Sequence, residues 1–160
     1  MKSTILAGAA LALAGLALAS CNKESSEPAE AAPEGRPGVS VSDARLILPA
    51  VSGNPGVLYF DIIDNGDKPS VIRAADVVGA QSASIHDTIT TDGNTSMSES
   101  LPVNLPKGTT FKFEPGGKHV MVMGLDESLE AGGTTEVTIT FLGGDKLSFP
   151  ADVKAAGDAR

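Results

Sequence analysis

The sequence predicts an all-β fold, a single-domain Greek-key sandwich or barrel, and three observations carry that expectation. Eighteen glycines and ten prolines punctuate 160 residues, the turn density that all-β domains need. From residue 39 onward, short runs of alternating apolar and polar residues are divided by turn signals. No stretch shows a helical period with caps at its ends. The length suits one domain with a proper core and is too short for two comfortable ones.

The runs follow one another regularly. "VSVSDARLIL" (39–48) opens and leads into the turn-rich "PAVSGNPG". "VLYFDIID" (57–64) is rich in β-branched and aromatic residues and stops at "NGDKP", a strong turn. "SVIRAADVV" (70–78) and "ASIHDTITT" (83–91) come next, the latter stopped by "DGN". The segment after it, "NTSMSES", is polar apart from Met97 and reads as a loop. "TTFKFEP" (109–115) alternates cleanly, "HVMVMGL" (119–125) follows, and "TTEVTITFL" (134–142) and "KLSFPADV" (146–153) flank the turn "GGD". Between them "GLDESLEAGG" (124–133) has room for a turn or so. Seven to nine strands at this spacing suit a sandwich or barrel.

The amino terminus has a different character. Lys2 precedes an apolar run from about Ile5 to Ala19, shorter than a membrane span and of the length of a secretory h-region. Leu18-Ala19-Ser20-Cys21 then matches a bacterial lipobox, which makes residues 1–20 a lipoprotein signal peptide and Cys21 the lipidated first residue of the mature chain. Residues 22–38 hold Pro, Glu, Ser, Ala and Gly with almost nothing to bury. Together with Cys21 they read as a flexible tether (21–38), which spans roughly 50 Å at full extension. Residues 39–155 remain as the folded domain. The expected setting is extracytoplasmic, facing the periplasm, with the protein held to a bacterial membrane by its lipid.

Charge and composition exclude several function classes. Twenty acids against twelve bases give a net charge of −8, a surface that repels phosphate backbones, so nucleic acid is not an expected partner. The mature chain's one thiol is the lipobox cysteine, there is no nucleophile-elbow motif, and there are two histidines, His86 and His119. His86 and Asp87 are neighbours on a predicted strand and would face opposite ways. The paired acids Asp126 and Glu127 fall on a surface turn. The chain is therefore not expected to be an enzyme.

What stands out is how histidine and methionine are distributed. Both histidines and every methionine after the initiator lie between residues 86 and 123. Thioether sulfur is soft, neutral and unable to lose a proton, and it favours Cu(I) over harder dications, while imidazole suits copper as well. Within "HVMVM", His119, Met121 and Met123 share one strand face and Val120 and Val122 the other. Taken alone that run favours a buried strand, because methionine commonly fills core gaps. Met97 in its polar surroundings and His86 on another strand tip the balance towards a metal site.

The full spacing is His86, ten residues, Met97, twenty-one residues, His119, one residue, Met121. This resembles the signature of the PCu(A)C family of periplasmic copper chaperones. "GVLYFDIIDNGDKP", "FKFEPGGKHVMVMGL" and "LEAGGTTEVTITFLGGDKLSFPADV" are similar to further segments of that family, so the likeness covers most of residues 39–153. The resemblance implies a cupredoxin-like sandwich that binds one Cu(I) per chain through His86, Met97, His119 and Met121, with Met123 as an apolar neighbour of the site. It implies a monomer that delivers copper by ligand exchange to a cytochrome c oxidase subunit or a Sco-type protein. The chain lacks the methionine that many members carry just after the first histidine, having Asp87 and Thr88 there, and it ends in "KAAGDAR" without a His/Met-rich tail. A metal-free sandwich lipoprotein acting as an interaction module is the competing expectation. It would pack Met97 in the core and keep His86 away from His119.

Overall fold

The structure is a computed structural model that describes residues 35–158. The expected signal peptide, Cys21 and most of the tether lie outside the described residues. Ten strands are found among them: β1 (Val39–Ile47), β2 (Gly56–Asp64), β3 (Ser70–Val77), β4 (Ser82–Thr91), β5 (Asn94–Glu99), β6 (Val103–Leu105), β7 (Thr110–Phe113), β8 (Lys118–Met123), β9 (Thr134–Phe141) and β10 (Lys146–Lys154). No helix occurs among the described residues, and the all-β expectation is met.

The strands join in the order β5-β4-β8-β2-β1-β10-β9-β3-β6, with β7 added beside β2. Only β1–β2, β4–β5 and β9–β10 are sequential neighbours, so the other pairings need crossovers of Greek-key type. All pairings between strands are antiparallel except β1 with β10. One continuous buried cluster draws on every strand but β5, from Ile85, Val120 and Val122 through Leu58 and Phe60 to Ile139, Phe141 and Ile72. Strands from both ends of the hydrogen-bonded order can share one core only if the sheet curls on itself. That closure produces the sandwich.

Alternation explains which face is which. In β2 the even-numbered residues Leu58, Phe60 and Ile62 are buried while their odd-numbered neighbours are half-exposed. Phe60 stacks on Phe113 with ring centroids 4.2 Å apart and meets Phe149 at 5.4 Å. Burying one such side chain stabilises the fold by about 1.5–3 kcal/mol. At the end of β2 the buried Asp64 holds the "NGDKP" turn, its Oδ1 accepting the Gly66 amide at 2.8 Å. Burial works to raise the Asp64 carboxyl, yet the nearby Ser70, the Gly66 amide and the Arg36 charge outweigh it and hold it below the ordinary carboxylate range.

The polar segment 94–99, expected as a loop, is strand β5. Its hairpin with β4 turns at Asp92 (φ 51°) and Gly93 (φ 79°), the left-handed pair that a two-residue type I′ turn requires. The apolar pattern gave no hint of a strand here because all six residues of β5 are exposed. Register is held instead by the ladder from His86–Glu99 to Thr91–Asn94 and by a Thr90–Thr95 hydroxyl contact of 3.0 Å.

Candidate metal centre

Three strands at one end of the sheet, β5, β4 and β8, set the geometry of the His/Met cluster. Residues directly opposite each other in an antiparallel pair project to the same face, as do residues two apart along one strand. In the β4–β8 ladder His86 stands opposite His119 and Ser84 opposite Met121. In the β4–β5 ladder Thr88 stands opposite Met97. His86, Met97, His119 and Met121 therefore share one face, the side turned away from Ile85, Val120 and Val122. His86 is the hub. His119 is its direct partner, while Met121 and Met97 are diagonal neighbours on the two flanking strands, at a Cα spacing of about 7–8 Å that long side chains can bridge.

Local sequence fixes the histidines. Glu114-Pro115-Gly116-Gly117 forms a turn with Gly116 at φ 81° and the Gly117 amide donating to the Glu114 carbonyl at 3.1 Å. This is a type II arrangement, with proline and glycine at the positions such a turn prefers. It aims the Gly117 carbonyl at His119, whose Nδ1 lies 2.9 Å from that oxygen. The same carbonyl accepts the Thr88 amide at 3.3 Å and so ties β8 to β4 beside the site. His86 has its Nε2 3.0 Å from Ser84 Oγ, while its Nδ1 is buried without a hydrogen-bond partner. The two imidazole centroids are 6.1 Å apart with planes inclined by 27°, close enough for one ion to touch both rings.

Exposure grades across the cluster. His119 is buried (4% exposed), His86 and Met121 are half-buried, and Met97 is 55% exposed on the edge strand. Met123 continues the face beyond Met121, opposite Ser82, and is exposed. Val120 and Val122 are fully buried and anchor β8 in the core.

The ladder places one carboxylate on this face, that of the exposed Glu99, directly opposite His86 on β5. Tyr59, on β2, lies beside His119 with ring centroids 6.5 Å apart, and burial pushes its phenol above the ordinary value despite the Arg45 guanidinium stacked over it at 5.3 Å. Lys118 pairs with Asp87 and donates to Ser100 at 2.8 Å, which clamps one end of the β4–β8 ladder on the opposite face. Among the described residues no three His, Cys, Asp or Glu side chains are grouped to hold a metal. The two imidazoles and two thioethers that share this face are neutral donors, a set that suits a soft monovalent ion better than a hard dication. An orphaned imidazole nitrogen inside that set is the feature a bound cation would satisfy. Ser84, Tyr59 and the Gly117 carbonyl were not expected from the sequence. For Ser84, spacing was the available signal, since it is two residues from His86 on one strand.

A family model described as "Putative lipoprotein LpqE-like" matches residues 39–153, every strand but the last residue of β10. The chain belongs to the LpqE-like lipoprotein family. A relative from Leifsonia xyli subsp. xyli, "Putative lipoprotein Lxx21020", is 28% identical over 155 residues, covering 96% of this chain and 89% of its own. Among solved structures, the apo PCuAC domain from PmoF1 is similar at 27% identity with a TM-score of 0.63, covering 78% of this chain and 99% of that one. The Cu(I) form of DR1885 from Deinococcus radiodurans is similar at 25% identity with a TM-score of 0.61, covering 78% and 83%. This LpqE-like chain thus shares its architecture with PCuAC domains, as the sequence resemblance implied.

Proposed function

We propose that this protein is an extracytoplasmic Cu(I) carrier that holds one ion per chain through His86, Met97, His119 and Met121 and releases it by ligand exchange. One observation carries the reading: His86 and His119 are cross-strand partners, and both proposed thioether ligands lie on their face of the sheet. The similarity to PCuAC domains, including one solved with Cu(I), supports it. The competing metal-free module calls for Met97 in the core and the histidines apart. Met97 is instead exposed, and the imidazoles neighbour each other.

The gradient of exposure suggests how transfer proceeds. A recipient's donors meet Met97 first, because it lies on an open edge strand, then displace Met121, and the buried His119 lets go last. Neutral thioethers leave without taking up a proton, so each exchange needs only a stronger incoming donor such as a thiolate. The protein acts as a carrier and not as a catalyst. In our reading it is a monomer, tethered through residues 21–38 by a lipid on Cys21 after removal of residues 1–20, with residues 39–155 as the copper-binding domain. The family's lipoprotein description supports that anchoring. The recipient is a copper-accepting protein of cytochrome c oxidase assembly, an oxidase subunit or a Sco-type protein, as the PCu(A)C resemblance implies.

Metal analysis and Cu(I) titration of the chain from residue 22 onward, which keeps all ten strands, test the carrier. One equivalent of tightly held Cu(I), lost or greatly weakened in His119→Ala, is the expected result. Failure to take up Cu(I), or equal affinity in His119→Ala, would refute it.

A further inference from the structure

In a neutral imidazole one nitrogen carries the hydrogen and the other a lone pair, and the hydrogen bond made by the first decides which is free to bind a metal. The two histidines of this site are tied down in opposite senses. His119 Nδ1 faces the Gly117 carbonyl oxygen at 2.9 Å, and a carbonyl can only accept, so Nδ1 carries the hydrogen and Nε2 carries the lone pair. His86 is engaged at its other nitrogen, with Nε2 3.0 Å from Ser84 Oγ.

A serine hydroxyl can donate or accept, so that contact alone leaves two arrangements. The second observation separates them: His86 Nδ1 is buried and has no hydrogen-bond partner. If Ser84 donated to Nε2, Nδ1 would keep a buried N–H that no cation could ever satisfy. If Nε2–H donates to Ser84, Nδ1 keeps a bare lone pair, unfavourable while unmet and satisfied as soon as a soft cation arrives. Only the second arrangement gives the orphaned nitrogen a purpose.

We infer that copper is held by Nδ1 of His86 and Nε2 of His119, and that Ser84 is the positioning residue that sets the first of these. The inference rests on the carrier reading and adds the donor atoms to it. Ser84 is placed for the task by β4 itself, two residues before His86 on the same face and directly opposite Met121. Coordination through Nδ1 keeps the ion nearer the β4 backbone than Nε2 would. The ion then lies low between the two flanking strands that carry Met97 and Met121, and the Ser84 contact survives loading.

Long-range proton–nitrogen NMR on the 15N-labelled chain from residue 22 onward, at pH 8 and without metal, tests the tautomers directly. The expected spectrum shows His86 unprotonated at Nδ1 and His119 unprotonated at Nε2, and added Cu(I) shifts those two nitrogens most. A His86 protonated at Nδ1, or copper acting on its Nε2, overturns the inference. Ser84→Ala is expected to mix the His86 tautomers, leave His119 unchanged and weaken Cu(I) about tenfold, as loss of a hydrogen bond behind a ligand does. Ser84→Thr, which keeps a hydroxyl, is expected to restore both. Wild-type tautomers and affinity in Ser84→Ala would remove Ser84 from the account. A chain that takes up no Cu(I) would sink the carrier reading and the copper assignment with it, while the metal-free spectrum still judges the tautomers.

Discussion

Two hairpins in this molecule share a construction and differ in what holds them. Both turn through consecutive left-handed residues, Gly143 and Gly144 (φ 105° and 96°) between β9 and β10, Asp92 and Gly93 between β4 and β5. In the first, Val137, Ile139 and Phe141 are fully buried, with Ile139 beside Leu147 and Val137 beside Phe149 across the ladder. In the second, β5 contributes nothing to the core, and its six residues rest on a backbone ladder and one threonine pair. The contrast separates two duties of the fold. Burial fixes the scaffold, while the strand that carries Met97 is left with few interactions to lose, as would suit the releasable ligand we propose Met97 to be.

The largest expected effect that could break this contrast is on stability. Phe141→Ala is expected to cost about 3–5 kcal/mol in chemical unfolding, because it empties a fully buried site. Met97→Ala is expected to stay within about 0.5 kcal/mol, since that side chain is exposed. Comparable losses from the two substitutions would erase the distinction. Next in size is Gly93→Ala, which puts a Cβ at φ 79° and is expected to cost about 1–2 kcal/mol locally. Amide exchange should then quicken across 94–99 and stay unchanged in β9; uniform quickening would mean the hairpin belongs to the core's cooperative unit.

The smallest effect concerns acid. Asp64 is held below the ordinary carboxylate range in the folded state, so its carboxylate adds stability that is fully present above the usual aspartate value. That contribution is lost as pH falls through the depressed folded value, because the native state must then take up the proton. Unfolding midpoints should therefore decline at the acid end, and Asp64→Asn should be less stable at neutral pH with a shallower acid decline. An equally steep decline in Asp64→Asn would place the acid sensitivity elsewhere.

The sequence made the core half plain and the site half only partly so. β2, β9 and β10 alternate because one face is buried, and alternation is what burial writes into a chain. β5 has no buried face, so no apolar pattern could mark it, although "DG" between two threonine-rich segments is itself a hairpin signal. The pairing of β4 with β8 is non-local, and nothing in either strand alone specifies that His86 stands opposite His119 and not one residue off. Composition pointed to the donors, and the spacing pointed to a family. The face they share and the nitrogens left free come from register and from hydrogen bonds to Ser84 and Gly117.

The most direct test of the central claim, that an exposed edge strand lends a releasable ligand to a site anchored in a rigid sheet, is Cu(I) titration of Met97→Leu beside its chemical unfolding. Met97→Leu is expected to bind one equivalent of Cu(I) more weakly and release it faster than the unsubstituted chain, with unfolding unchanged. Wild-type affinity in Met97→Leu would contradict it, because the exposed thioether would then have no part in holding the ion.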